Sequence, residues 1–538
     1  MMSTVTSLPV IHCTSTTYTA MAAVKEQLLV LMVSAVLASV VTTVSSPPHI
    51  ILIVADDLGW NDVSWHNPLV QTPHLEALAR SGVLLEQSYV LPLCTPTRSA
   101  LLSGRYPFTI GRQHLVIWPL SPSGLDLDLT ILPQSLKSAG YSTHIVGKWH
   151  LGFCSWQYTP TLRGFDTFYG YYQAGEDYYS RICSPRYFED VICGDKKLSY
   201  GYDFRRNTDV EDTDNGTYSP FLFTSYVENL LSSRNPDDPM FLYLPFQSVH
   251  APLQVPEEYT EPYSFVKDEN RRIKLGMVSA LDEAAGQVVD ALKTTGHYDN
   301  SVIVFTTDNG GPTASSGNNW PLRGNKSSLF EGGTRGIAFV HSPLLPNPGT
   351  VSHQLIHVTD WYQTLAGLAG AEAPTNTDGV DQWPTITGSV PSPRTDMIYN
   401  IDNTTKFSAA VRMGEYKLLV GEPGWGEWTP PPENDTDIVV EESSHINTDN
   451  HKMVGEGKER IQHLLHLFNT NDTELKLYDL TEDPEERVNL ADIMEEVVIV
   501  MLEFLEQQMS RYVPADYQPC DYDGDPINFD NVWTPGWC

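Results

Sequence analysis

Four short runs of residues constrain this chain more than anything else in it. His49-Ile50-Ile51-Leu52-Ile53-Val54-Ala55 is apolar and β-branched on both faces, as in a strand buried from either side. Ser142 to Val146, Met240 to Leu244 and Ser301 to Thr307 read as three further strands. Helical patterns lie between them. Thr72 to Ser81 has Pro73 in its first turn, with Leu75, Leu78 and Ala79 on one face. Arg272 to Lys293 places Met277, Leu281, Ala284, Val288 and Leu292 at helical spacing, the pattern of a core-facing stripe. Such alternation predicts an α/β sandwich around a large, mostly parallel sheet. Polar residues after Val54, Val146, Leu244 and Phe305 would then emerge at the carboxyl ends of parallel strands, where open α/β sheets place their ligand sites.

The pattern changes late in the chain. Pro374 to Pro393, rich in Pro, Thr, Asp and Gly, reads as a connection. After it, Ala409 to Arg412 and Tyr416 to Val420 predict a hairpin, and Glu474 to Leu480 a strand. Asp492 to Tyr512 predicts a helix with Ile493, Val497, Val500, Met501, Phe504 and Leu505 on its apolar face. Gly421 to Glu459, rich in Gly, Pro and acids, predicts an exposed loop. The expected organisation is a leader over 1–46, a large domain over 47–394 and a smaller α+β domain over 395–538.

The leader expectation rests on Leu28 to Val41, an apolar run that is short for a membrane span and suits a signal-peptide core. Met21 offers a second start with a compact n-region, and cleavage is expected near Ser45 or Ser46. The alternative is an uncut signal anchor. Entry into the secretory pathway makes the seven cysteines readable. Cys13 leaves with the leader, Cys183 and Cys193 suit a local disulfide, Cys520 and Cys538 suit a C-terminal one, and Cys154 is left odd. Sequons at Asn215, Asn403, Asn434 and Asn471 are expected to be glycosylated on exposed loops, and a fifth at Asn325 to stay unmodified. With 33 basic against 67 acidic residues, a formal −34, the surface argues against nucleic acid as a partner. It also repels anions at long range, so any anionic substrate needs a local cluster of cations.

Such a cluster has candidates. Asp56 and Asp57 follow the first strand, and Asp308 and Asn309 the fourth; their oxygens suit a hard divalent cation. Lys148 and His150 follow the second strand and His250 the third, while Lys326 lies further on. The stretch Cys94-Thr95-Pro96-Thr97-Arg98-Ser99-Ala100-Leu101-Leu102-Ser103-Gly104-Arg105 reads as a helix with Pro96 in its first turn and Gly104 near its end. That puts Cys94 at the positive end of the helix, with Arg98 one turn on.

The order Cys-x-Pro-x-Arg, then Leu-x-Gly-Arg, resembles the first signature of the sulfatase family. A second match lies at Gly140-Tyr141-Ser142-Thr143-His144-Ile145-Val146-Gly147-Lys148-Trp149-His150-Leu151-Gly152. Further likeness is carried by Ser248-Val249-His250-Ala251-Pro252, by Asn318 to Lys326 with Glu331-Gly332-Gly333, by Gly175 to Tyr179 and by Leu253 to Tyr259. The resemblance runs from about His49 to Trp533 and is nearest the arylsulfatase B group, N-acetylgalactosamine-4-sulfatase, with arylsulfatases I and J. The cysteines do not obviously reproduce that group's disulfides, and 421–459 is poorly matched. The resemblance implies an alkaline-phosphatase-like fold and hydrolysis of sulfate esters of sugars, in the lysosome or outside the cell. It implies that Cys94 is converted to formylglycine by the formylglycine-generating enzyme, and that Asp56, Asp57, Asp308 and Asn309, with residue 94, hold Ca²⁺. It further implies that Lys148 and Arg98 bind sulfate and the nucleophile and that His150 partners the nucleophile. His250, with Lys326 beside it, would serve as general acid, and Lys148, His250 and Lys326 would contact the substrate. Two alternatives are a phosphodiesterase of the same superfamily and a sulfate-binding protein in which Cys94 stays a thiol.

Overall fold

Burial on both faces decides the central layer. The computed structural model describes residues 46–183, 199–432, 455–468 and 474–538. In it, β1 (His49–Ala55) is buried at every position. With β2 (Val83–Leu85), β3 (Ser142–Lys148), β4 (Thr167–Tyr171), β5 (Arg205–Arg206), β6 (Asp209–Val210), β7 (Met240–Pro245), β8 (Ser301–Thr307), β9 (Ala338–His341) and β10 (Thr350–Ser352) it forms a ten-stranded sheet in the order β10-β2-β9-β8-β1-β7-β3-β4-β5-β6. The five central strands, β8, β1, β7, β3 and β4, run parallel. Antiparallel pairs flank them on either side.

Helices cover both faces of this sheet, each over its own apolar core. On one face, α1 (Pro73–Arg80) and the long α5 (Glu269–Thr294) pack with α4 (Ser219–Ser232). The predicted stripe of α5 is fully buried, and Asp268 caps the helix by accepting from the Arg271 N–H at 2.7 Å. On the other face lie α2 (Cys94–Ser103), α3 (Leu132–Ser138) and α6 (Asp360–Ala369). All ten residues of α2 are buried, and Gly104 ends it with a φ of 67°, the left-handed cap that glycine adopts freely.

A second, four-stranded antiparallel sheet follows, β11 (Asp396–Asp402), β12 (Ser408–Met413), β13 (Tyr416–Gly421) and β14 (Leu475–Asp479), in sequence order. Helices α7 (Gly455–Leu467) and α8 (Glu495–Met509) pack against each other, and both contribute to the core beneath this sheet. Two expectations change here. The loop expected over Gly421 to Glu459 ends early, at the helix Gly455–Leu467, of which no part was expected; burial of Ile461, Leu464 and Leu465 among α8 and the sheet makes this segment helical. The inward face of α8 is set by Val498, Met501, Leu502 and Leu505, while Ile493 and Val500 are exposed. The apolar run there is too continuous for periodicity alone to choose the face.

The tail returns to the large sheet. The Val513 N–H donates to the Phe108 carbonyl at 2.8 Å, the Asp521 N–H to Leu120 at 2.8 Å, and Trp533 is fully buried. This path corrects the cysteine assignment: Cys538 is bonded to Cys154, 384 residues away, not to Cys520. The Gly536 and Trp537 N–H groups donate to the Cys154 carbonyl at 2.7 and 3.1 Å and hold the two ends together. Cys520 is in a disulfide of its own. Cys183 is a free, buried thiol whose Sγ lies 3.1 Å from Gln173 Oε1, so the expected pair with Cys193 does not form; Cys193 lies outside the described residues. Cys13, the leader up to Val44 and Ser45, Asn434 and Asn471 also lie outside them. Asn215 and Asn403 are exposed and Asn325 is buried. No helix among the described residues is long and apolar enough to cross a membrane.

Candidate active site

The carboxyl ends of the parallel strands bring the predicted polar residues together. Asp56 and Asp57 leave β1, Lys148 ends β3, Asp308 and Asn309 leave β8, and the chain after β7 supplies His250. Helix α2 points its first residue, Cys94, at this edge, and the Cys94 Sγ lies 3.8 Å from Asp56 Oδ1. Ligand atoms of Asp56, Asp57, Cys94 and Asp308 all lie within 4.8 Å of one another, and all four residues are buried.

Cations interlock with these carboxylates. Lys148 Nζ donates to Asp56 Oδ2 at 2.5 Å. The Arg98 guanidinium spans two carboxylates, reaching Asp308 Oδ2 at 2.8 and 3.2 Å and Asp56 Oδ2 at 3.3 Å. Lys326 Nζ and Asn309 Nδ2 both donate to Asp57 Oδ1, at 2.6 and 2.7 Å. His250 Nε2 is 3.7 Å from Asp57 Oδ2, and its Nδ1 is 2.7 Å from the Ala251 carbonyl. His150 adopts a φ of 57°, and its Nε2 lies 3.2 Å from the Ile117 carbonyl. Lys326 and His250 retain 16% side-chain exposure, whereas Arg98, Lys148 and Asp56 have none, so the first two stand at the mouth and the others at the floor.

Burial and charge set the protonation states. Burial pushes the Cys94 thiol up to about 12, against the pull of Lys148 and Lys326. Burial would raise the Asp57 carboxyl too, but Lys326 and, behind it, Lys274 hold it below the usual carboxylate range. Asp308 is raised by burial and by the negative charge of Asp56. Burial drives His150 well down, with Lys148 and Arg98 adding to it, and lowers His250 to about 3 despite Asp57. Both imidazoles are therefore neutral in the resting site.

The donor set fits a hard cation. Carboxylate and amide oxygens are its ordinary ligands, and Asn309 Oδ1 is buried without a hydrogen-bond partner. Arg98 Nη1 and His150 Nδ1 are likewise buried and unpartnered. Buried polar atoms left idle in a cluster of this kind suit a site that receives a polar ligand.

One residue at this edge was missed. Lys274 of α5 is fully buried, with Nζ 2.7 Å from the Val249 carbonyl and 3.2 Å from that of Asp57. Its signal was present, because position 274 falls in register with the stripe that continues at Met277 and Leu281. A lysine on a core-facing stripe needs a buried partner. Arg98, Lys148 and Lys326 pair with the three carboxylates, and Lys274, on two backbone carbonyls, adds a fourth cation, so the site is locally positive within an acidic chain.

The geometry agrees with what comparison with known proteins finds. The family model described as Sulfatase matches residues 48–371. The chain is 40% identical to arylsulfatase J of Mus musculus over 508 residues, covering 90% of this chain and 80% of that protein. It is 30% identical to N-acetylgalactosamine-6-sulfatase of Mus musculus over 402 residues, covering 71% and 74%. Among solved structures it is similar to Ps i-CgsB, with a TM-score of 0.71 and 27% identity over 90% of this chain and 97% of that one. On the two signatures, the fold that carries them and these matches, the chain belongs to the sulfatase family.

Proposed function

We propose that this protein is a secretory-pathway sulfatase that removes the 4-sulfate of N-acetylgalactosamine in chondroitin or dermatan sulfate. The observation that carries the reading is the convergence of buried Cys94, three carboxylates and four cations at one sheet edge. Sulfate-ester cleavage moves negative charge onto the sulfuryl oxygens, and fixed cations in a dry site stabilise that charge without reorganising. Asp56, Asp57, Asp308 and Asn309 would hold Ca²⁺ beside residue 94, and the ion would neutralise charge as a Lewis acid. Residue 94, converted to formylglycine, would supply a hydrated aldehyde as nucleophile; the unmodified thiol, held up at about 12, is almost wholly un-ionised at neutral pH.

The remaining residues divide the work by position. Lys148 and Arg98, on the floor, bind the anion and orient residue 94. His150 is neutral, and its Nε2 proton is engaged by the Ile117 carbonyl, which leaves the Nδ1 lone pair to take a proton from residue 94. His250 and Lys326, at the mouth, meet the leaving alcohol. In the neutral His250 the proton sits on Nδ1, toward the Ala251 carbonyl, so Lys326 is the group that starts with protons to give. His250 takes up that role only once the sulfate's own charge offsets its burial. Support for the secretory assignment comes from the Cys154–Cys538 disulfide and from the exposed sequons at Asn215 and Asn403.

One observation favours a broader reading. A related structure, 26% identical with a TM-score of 0.69, is in complex with k-i-k-neocarrahexaose, so other sulfated carbohydrates are the second candidate class. Sulfate release from 4-sulfated and 6-sulfated N-acetylgalactosamine fragments, paired with the intact mass of the peptide containing residue 94, tests both. Release from 4-sulfated fragments only, with oxygen in place of sulfur at residue 94, is expected. Cleavage of 6-sulfated fragments alone overturns the substrate, and an unmodified thiol in active protein overturns the nucleophile.

A further inference from the structure

Helix α5 carries a charge that the catalytic assignment does not use. Lys274 is 0% exposed and has no carboxylate in direct contact; its Nζ is spent on two backbone carbonyls, those of Asp57 and Val249. Removing an ammonium from water for two neutral acceptors costs stability, which a residue with only a packing role would not require. The two carbonyls belong to different strand ends. Asp56 and Val249 already pair, the Asp56 N–H donating to Ser248 at 2.9 Å and the Val249 N–H to Asp56 at 2.6 Å. One residue further on each chain, those ends place Asp57 and His250 side by side. Asp57 has a φ of 61°, a left-handed conformation that is costly for a residue with a side chain. Its N–H donates to Asp308 Oδ1 at 3.3 Å and its carboxylate takes Lys326 and Asn309, so the carbonyl held by Lys274 is the third point fixing this turn.

We propose that Lys274 is a positioning residue for the metal ligand Asp57 and for His250, cross-linking the ends of β1 and β7 from below. The inference rests on the sulfatase reading of the site. Lys274 touches neither substrate nor reacting atoms. It holds the left-handed turn that aims the Asp57 carboxylate, and it adds a positive charge behind that carboxylate. Partners behind a metal ligand typically change metal affinity by about 10–100-fold when removed.

The test compares Lys274→Met and Lys274→Gln with Leu281→Ala, a cavity variant on the same buried stripe that lowers stability without touching the site. Chelator-stripped protein is titrated with Ca²⁺ alone by calorimetry, and kcat and KM are measured on 4-nitrophenyl sulfate. Expected for both Lys274 variants is a Ca²⁺ Kd raised about 10-fold or more, with kcat falling far more than KM rises. Lys274→Gln, which keeps one amide donor, should fall between wild type and Lys274→Met, and it serves if the latter does not fold. Leu281→Ala should melt earlier with the wild-type Kd. Lys274 variants whose Kd and kcat match those of Leu281→Ala overturn the positioning role and leave the sulfatase reading standing. Wild-type protein that binds no Ca²⁺ and releases no sulfate overturns both.

Discussion

Replacing Lys417 by Met should destabilise the protein by an amount that depends steeply on pH. Lys417 Nζ, on β13, lies 2.9 Å from Glu331 Oε1 and 2.8 Å from Glu486 Oε1, and all three side chains are fully buried. Tyr89 and Tyr399 donate to Glu331 at 2.8 and 3.1 Å. Burial would raise the Glu331 carboxyl, but Lys417, Arg335 and Arg412 keep it below its ordinary value; burial raises that of Glu486 to about 7. Without Lys417, Glu331 loses its direct charge partner and can escape by taking a proton. From an ordinary value of 4.5, protonation costs about 1.36 × (7 − 4.5), or ~3.4 kcal/mol, at pH 7 and only ~0.7 at pH 5. The sign follows from linkage. In the wild type a lowered Glu331 stabilises above pH 4.5 and loses that contribution as pH falls, whereas in the variant a raised Glu331 costs more as pH rises. Residues 47–538 form one compact unit, and ~2.1 cal/mol/K per residue makes 1 kcal/mol worth about 1 °C. Thermal unfolding of Lys417→Met should therefore begin about 3 °C low at pH 7 and about 1 °C low at pH 5. Equal losses at both pH values, or none at pH 7, would refute the reasoning.

Other outcomes follow from the same structure. Cys94→Ala should abolish sulfate release while moving the melting temperature by no more than about 2 °C, since one sulfur is removed and the scaffold stays; turnover of an aryl sulfate by the folded variant would sink the nucleophile assignment. Asp308→Asn should lower bound Ca²⁺ by elemental analysis, because it removes a charged ligand and half of Arg98's ion pairing; an undiminished metal content counts against the site. Cys538→Ser opens the 384-residue link to Cys154 and should cost about 2–4 kcal/mol, read as earlier unfolding in calorimetry. Burial raises Asp203 from 3.8 to about 6, so its contribution is favourable at acid pH and lost as pH rises through 6. Asp203→Asn keeps an acceptor for the Tyr172 and Gln173 N–H groups, and its stability relative to wild type should rise between pH 4 and pH 8 by about 2–2.5 kcal/mol; a flat difference would contradict the burial argument.

Local signals in the chain were enough to find four of the five central strands, the long helix and the polar residues that leave them, while Thr167–Tyr171 was not foreseen. A strand buried on both faces shows in its composition, and the polar residues at its end are recognisable from a motif only a few residues long. His49 to Ala55, Ser301 to Thr307 and the Cys94 helix carry all their determinants within themselves. What tertiary structure decided was long-range pairing. Cys154 met Cys538 because the tail doubles back across the large sheet, and no spacing rule spans 384 residues. Residues 455–467 became helical because α8 offered an apolar partner, overriding weak local propensity. Lys417 looks in sequence like any solvated lysine, and only burial beside Glu331 and Glu486 gives it work; the stripe of α5 marks Lys274 as buried, but only the fold supplies its two acceptors. Sequence alone determined which chemical groups the chain brings, because identity and order are local. The distances and protonation states of those groups came from packing, because burial and Coulomb interactions depend on neighbours supplied from across the fold.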